Sequence, residues 1–347
     1  FVGIGLVVNL LTSTLGPAAQ GMVKRFGLSL TVIDVGWPTT ASATWASPVA
    51  PIIIPVCLGV NLILIYFKLT KTLNIDLWNY WHFIVAGAFG YVVTGSYIWA
   101  IICAIIMELL VLFTADKTAK YVGDFYGLEG VCLPTGSTAS FAPLGFLVGK
   151  IVEKIPVIGN IHTDPDTIQK KFGIFGEPMM MGIILGFVLG GLAGYDVSKV
   201  FNTGISMGAV MFLMPRMVKI LMEGLIPISE AVRDYLQSKY GDRELYIGLD
   251  AALATGHPAV LSTALILVPI TLFLAVILPG NRVLPFGDLA TIPFYIAFIV
   301  CFRKGNIVQS VITGTIVIAL SLYMATDLAP VHTELLSQAN MLPKGTT

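Results

Sequence analysis

Residues Pro48–Phe67 run for twenty positions without a charged side chain. A helix rises about 1.5 Å per residue, so about 20 apolar residues cross the ~30 Å hydrocarbon core of a bilayer. Further apolar runs follow at Leu77–Val93, Tyr97–Thr114, Glu177–Leu192, Val200–Met214, Leu261–Leu278, Ala290–Phe302 and Val308–Met324, some shorter than about 17 residues unless their flanks are counted, and residues 1–11 read as the end of another span. Within hydrocarbon the backbone must bond to itself, which leaves helices or closed barrels. Runs of this length specify helices. The expected fold class is an all-α polytopic membrane protein, a single transmembrane domain over residues 1–347. Charged residues make up 12% of the chain, against about 25% in soluble domains.

Several functions are excluded by the same reading. Twenty basic and twenty acidic residues balance, so no basic surface is available for nucleic acid. Cys57, Cys103, Cys132 and Cys301 lie in apolar segments at no metal-ligand spacing and read as reduced packing residues. Neither a metal nor a cofactor is expected. No phosphate-cradling GxxxxGK[ST] loop is present, so transport energy has to come from an ion gradient or a partner protein. The chain starts without Met or a basic leader and ends in "MLPKGTT"; both ends read as cut.

Lys150, Lys154, Lys170 and Lys171 mark a polar loop over 149–174, and a polar connector is expected over 228–245. Within the connector, Ile228–Gly241 has apolar residues at helical spacing, the pattern of an amphipathic interfacial helix.

Two apolar stretches are broken. "GLEGVCLPTG" starts at Gly127 and "GLDAALATGH" at Gly248. Each sets Gly-Leu and a carboxylate ahead of a Thr-Gly. Irregular backbone at membrane depth survives only inside protein or along a cavity, and paired interrupted segments point to a transporter's binding site. The expectation is two re-entrant hairpins, 127–149 and 247–263, forming an internal inverted repeat whose tips meet from opposite sides of the bilayer.

Candidate site residues follow from cost. An ionisable group in an apolar segment is expensive, roughly 2.5–3.5 kcal/mol for Asp. Asp250 and Glu129 open the broken stretches and offer acceptors to the hydroxyls of a polyol; the alternative is a cap on a half-helix. Thr135, Gly136, Ser137 and His257 are expected around the same cavity. His82 stands in "LWNYWHF", where the alternative is an interfacial aromatic belt. Trp37, in "DVGWPTT", offers an aromatic face to sugar C–H groups. Glu177, ahead of Pro178, and Asp288 read as helix caps. Glu108 has no role in this reading.

The motifs "VIDVGWP" (Val32–Pro38), "TWAS" (Thr44–Ser47), "LWNYWH" (Leu77–His82), "FGEP" (Phe175–Pro178), "LAGYDV" (Leu192–Val197), "LMPR" (Leu213–Arg216), "IGLD" (Ile247–Asp250) and "VLPFGDLATI" (Val283–Ile292) together resemble the IIC permeases of the galactitol phosphotransferase system, which are related to the ascorbate permeases. The resemblance covers nearly the whole chain. It implies a homodimeric, elevator-type transporter in the bacterial inner membrane, in contact with lipid, that carries a sugar alcohol such as galactitol. It also implies cytoplasmic IIB and IIA partners, with IIB phosphorylating the sugar as it emerges. The chain is then a transport subunit, not catalytic without IIB. By position, Asp250 matches the acidic residue near substrate and His82 the histidine after a polar helix start. Thr135 and Gly136 match the first hairpin tip. Where the family motif reads Pro-His-Gly, this chain has Pro134-Thr135-Gly136, which leaves the polyol open. The rival reading is a cation-coupled secondary transporter, whose carboxylates would bind H⁺ or Na⁺.

Overall fold

The computed structural model of the chain describes residues 2–161, 163–240, 244–285 and 288–342. It is overwhelmingly helical. In chain order the elements begin with α1 Val2–Phe26, β1 Val32–Ile33, α2 Gly36–Trp45, α3 Ala50–Tyr66, β2 Thr72–Asn74, α4 Leu77–Thr94 and α5 Tyr97–Tyr126. Next come β3 Val131–Cys132, α6 Gly136–Ala139, α7 Ala142–Glu153, α8 Pro165–Phe172, a 3₁₀ turn Gly173–Gly176 and α9 Pro178–Leu192. The chain closes with α10 Val197–Tyr240, β4 Tyr246–Gly248, α11 Ala252–Thr255, α12 Pro258–Ile277, β5 Val283–Leu284, a 3₁₀ turn Leu289–Thr291, α13 Ile292–Phe302 and α14 Ile307–Gln338.

Among the described residues, five helices are long and apolar enough to cross a bilayer: α1, α5, the Val197–Leu221 part of α10, α12 and α14. Two bent pairs bring the number to seven if each is one span. They are α2 with α3, bent by 91°, and Pro165–Gly176 with α9, bent by 71°. The expected spans thus stand as helices, with three differences. The Ala290–Phe302 run gives only the short apolar helix α13, outside the five spans and the bent pairs. The runs beginning at Val200 and Val308 continue much further as α10 and α14. The Leu77–Val93 run forms α4 but is not among the five, because Asn79 and His82 dilute its first turns.

Contacts divide the chain into two compact units. The first comprises Phe1–Asp34, Leu144–Ile228 and Ala252–Tyr323; the second comprises Val35–Pro143, Ser229–Ala251 and Met324–Thr347. In the first unit β1 pairs in parallel with β5. In the second, β2, β4 and β3 form a parallel sheet in that order. α4 and α5 are joined by Thr94-Gly95-Ser96. Gly95 adopts φ 66° and its N–H bonds Tyr91 O, a left-handed helix cap that glycine adopts without strain.

The two broken stretches each form a strand, a one-turn helix and a longer helix: β3–α6–α7 and β4–α11–α12. They repeat at a constant separation of 116 residues, seen in the strand register and again between Thr135 and Ala251. That separation corrects the match expected from sequence. Extending the register of Val131↔Ile247 and Cys132↔Gly248 by two residues brings Pro134 level with Asp250, five residues beyond Glu129. The pairing is parallel.

The expected polar loop, 149–174, includes the end of α7 and all of α8. Asp164 caps α8 by accepting from Thr167 N. The expected connector helix is a continuation of α10 to Tyr240. Its amphipathic face lies outside the described side chains, and 241–243 lie outside the described residues, as do Phe1 and 343–347 at the ends. Glu177 precedes Pro178 at the start of α9 and Asp288 precedes the 3₁₀ turn, but neither side chain makes the capping hydrogen bond expected of it.

In the first unit α9 and α10 approach backbone to backbone. A Cβ on Gly186 would lie 2.7 Å from Gly204 Cα, and one on Gly182 would lie 2.7 Å from Met207 O. Small residues permit such approach between membrane helices, where van der Waals packing drives association. A Gly186→Leu substitution should force the helices apart at a cost of roughly 1–3 kcal/mol or more. A lowered melting temperature of the purified protein would register it, with Gly191→Ala, which meets open space, as control.

Candidate functional site

The second unit concentrates buried polar groups at the carboxyl ends of β2, β3 and β4. Starting on β2, Asn61 of α3 donates from Nδ2 to Thr72 O (2.9 Å) and accepts from Asn74 N (3.0 Å). Its amide thus replaces a missing strand along the free edge of β2. Asn74 Oδ1 accepts from Asn79 Nδ2 (2.9 Å). Asn79 Oδ1 accepts from the Thr135 hydroxyl (2.8 Å), whose oxygen accepts from Ala251 N (2.7 Å). One hydrogen-bonded ladder therefore links the chain after β2, β3 and β4. Asn61, Asn74, Asn79 and Thr135 are all almost fully buried.

Asp76 caps α4. One oxygen accepts from Trp78 N and the other from Asp250 N, both at 3.0 Å. The first unit repeats the device, with Asp34 accepting from Asp288 N at 2.7 Å. In both, an Ile-Asp pair leaving a strand holds the backbone of a second aspartate.

The opposite ends of the strands are fixed by charge. Asp116 of α5 accepts from the hydroxyls of Thr70 (2.8 Å) and Thr72 (2.7 Å) and from Lys71 N. Cys132 Sγ lies 3.2 Å from the Thr72 oxygen; because Thr72 donates to Asp116, the thiol donates here. Lys71 pairs with Glu244 at 2.5 Å, and Tyr246 donates to the same carboxylate. The lysine, then the tyrosine, hold the exposed Glu244 carboxyl below its usual range.

Polar atoms without partners lie along the ladder. Asn74 Nδ2, both ring nitrogens of His82 and the Thr138 hydroxyl are buried and make no hydrogen bond. Native interiors rarely leave such groups unsatisfied. His82 lies one turn beyond Asn79, its ring 4.2 Å from that of Trp81. It also lies against Gly136, where a Cβ would come within 2.6 Å of its own Cβ. Only glycine lets α6 start this close to α4.

The sequence-derived candidates are thus partly gathered. His82, Thr135, Gly136 and Asp250 belong to this cluster, and Ser137 follows, half-buried, on α6. Thr135 acts as a link, with its hydroxyl donor and acceptor both engaged. Glu129 is exposed, beside Gly123 near the end of α5, away from the level of Asp250. Trp37 is half-buried in the first turn of α2. His257 falls in the first unit and caps α12, its Nδ1 accepting from Ala259 N at 3.2 Å. Sequence reasoning missed Asn61, Asn74, Asp76, Asn79 and Asp116. One signal was legible: a lone Asn in an otherwise apolar run at Asn61. Another was the Asn-Ile-Asp that precedes α4.

The sequence profile of a family described as the PTS system sugar-specific permease component matches residues 1–345. The PTS system galactitol-specific EIIC component of Escherichia coli (strain K12) is 43% identical over 345 residues, covering 99% of this chain and 76% of that protein. The protein of the same name from Escherichia coli O157:H7 matches with the same identity and coverage.

Thr135→Val keeps the shape of the ladder and removes its hydroxyl. Ala251 N and Asn79 Oδ1 then lose their partner, each at a cost of about 1–3 kcal/mol. The expected result is a clear drop in melting temperature, whereas Thr135→Ser should stay near wild type.

Proposed function

The chain belongs to the sugar-specific permease components of the phosphotransferase system, and on that premise we propose that it carries a neutral sugar alcohol, galactitol, held at the ladder of the second unit. It is a multi-pass protein of the cell membrane, and its family works on sugars with cytoplasmic IIB and IIA partners. Membership removes the rival reading of a cation-coupled secondary transporter.

One observation carries the proposal. The buried atoms that lack partners, Asn74 Nδ2, the His82 ring nitrogens and the Thr138 hydroxyl, are neutral donors and acceptors. Among the described residues no Lys or Arg belongs to the ladder around them. A hydroxylated, uncharged ligand satisfies such groups, whereas an anion would find no countercharge. A site that hydrogen-bonds hydroxyls also rejects analogues lacking them, because its buried groups are then left unpaired. Asp250, half-buried just past β4, supplies a charged acceptor to a ligand hydroxyl, and Ser137 extends the set. The galactitol specificity in the name of the 43% identical relative supports the choice of polyol.

Chemistry follows from the partner. The phosphoryl group passes from IIB to a hydroxyl of the bound polyol, its bond to IIB breaking as the hydroxyl proton leaves, and the product, a dianion, no longer suits a site that offers a carboxylate and no cation. Elevator-type movement and homodimeric assembly belong to the same reading; the mass of the detergent-solubilised particle tests the dimer.

The energy source is tested in inverted membrane vesicles. Galactitol should be phosphorylated only when phosphoenolpyruvate, IIA and IIB are all supplied. Accumulation of unmodified galactitol on an imposed ion gradient, without IIB, would refute the proposal. Asp250→Asn keeps the shape and loses the charge. Losing a charge-assisted hydrogen bond costs about 1.5–3 kcal/mol, so galactitol affinity should fall roughly 10- to 150-fold. Unchanged affinity in the folded variant would reduce Asp250 to a backbone element.

A further inference from the structure

Glu108, on α5, is the only fully buried carboxyl among the described residues, with none of its surface exposed. Neither oxygen has a nitrogen or oxygen hydrogen-bond partner, the only donor within reach being the weak thiol of Cys57, and the residue enters none of the ion pairs formed among the described residues. The titratable groups facing it are the Cys57 thiol of α3 and the Tyr80 phenol of α4. Cys57 is fully buried and Tyr80 nearly so. Neither carries a positive charge in any protonation state. The Tyr80 hydroxyl is already engaged, donating to Asn74 O at 3.0 Å. The next carboxylate along α5, Asp116, is negative and bound to Thr70 and Thr72. No Lys, Arg or His of α3, α4, α6 or the strands pairs with Glu108 among the described residues.

An ionised carboxylate here would be an unpaired charge in an apolar interior, which costs far more than the neutral acid. We propose that Glu108 is a proton-binding site of the packed unit, holding H⁺ where α3, α4 and α5 pack around it and releasing it to water only when the unit unfolds. The proton is a bound ligand of the packed unit; phosphoryl transfer remains the energy source. Tyr80, which faces Glu108, donates its hydroxyl to Asn74 O at the ladder. The assignment does not depend on which substrate the ladder holds.

The sign of the pH effect is fixed. On this assignment the packed unit holds one proton that the unfolded chain gives up to water. The stability linked to this proton is complete at acid pH and drains away as pH rises. Glu108→Gln retains shape and neutrality and removes the linkage. The test uses the full chain in lipid. Infrared spectra at neutral pH should show the C=O stretch of a protonated carboxyl that Glu108→Gln lacks. Between about pH 5 and about pH 8 the melting temperature should fall more for wild type than for Glu108→Gln, since the slope reports protons bound. A wild-type spectrum without a protonated carboxyl band at neutral pH would overturn the assignment, whether or not the variant folds. So would a band that persists in Glu108→Gln, or identical pH dependences of the two melting curves.

Discussion

A backbone N–H or C=O that leaves a helix inside hydrocarbon has to be bonded by protein, because no water is present to do it. The second unit meets this requirement with a parallel sheet only three strands wide and with side chains that stand in for missing strands. Asn61 is the clearest case. Its amide bonds Thr72 O and Asn74 N, closing an edge of β2 that no strand covers. Asp116 does the same for the chain entering β2, and Asp76 for the chain leaving β4. Once these bonds exist, the ends of the strands can gather polar atoms at low cost. The ladder from Asn74 to Ala251 is the result.

This arrangement explains why the buried polar groups are amides and hydroxyls. Each carries both a donor and an acceptor, or can switch between them, so a chain of them satisfies itself without net charge. Cations are kept to the other ends of the strands, where Lys71 pairs with the exposed Glu244, while the ladder end carries two carboxylates, Asp250 and Asp76, the latter bonded to the backbone N–H groups of Trp78 and Asp250. Where the ladder stops, at Asn74 Nδ2 and the His82 ring, hydrogen-bonding capacity is left unmet, which is what the proposed polyol site draws on. The two Ile-Asp clamps, Asp76 on Asp250 N and Asp34 on Asp288 N, suggest one local solution used in both units.

Much of the helical layout was legible in the sequence because apolar run length is a local quantity. The starts of α4, α5 and α9 could be read to within a residue or so. The broken stretches were legible too, through their Gly and Pro. Their alignment was not. Gly-Leu-acid is a resemblance of composition, whereas register is set by hydrogen bonds between strands. Those bonds align Leu133 with Leu249 and leave Glu129 out of step with Asp250. The ladder was hidden for a related reason. Asn79 and Thr135 are 56 residues apart and Thr135 and Ala251 are 116 apart, so no window along the chain contains both partners. Thr135 was recognised as important, but its engagement on both sides is a property of its neighbours.

The strand order has a consequence for how the protein is made. β4 is the central strand of its sheet, yet it is the last of the three to be synthesised. β2 and β3 do not pair with each other, so neither has its strand partner when it leaves the ribosome. They wait while α6 to α10 are added, and closing the sheet then joins Asp76 to a residue 174 positions later. Such long-range closure is slow. Until it happens, the free edges of β2 and β3 and the amides of Asn74 and Asn79 must be sheltered in a membrane by something other than their final partners. Biogenesis of this permease therefore depends on the interval between the third and the tenth helices, during which the insertion machinery, or neighbouring helices already in place, must hold a half-built polar centre.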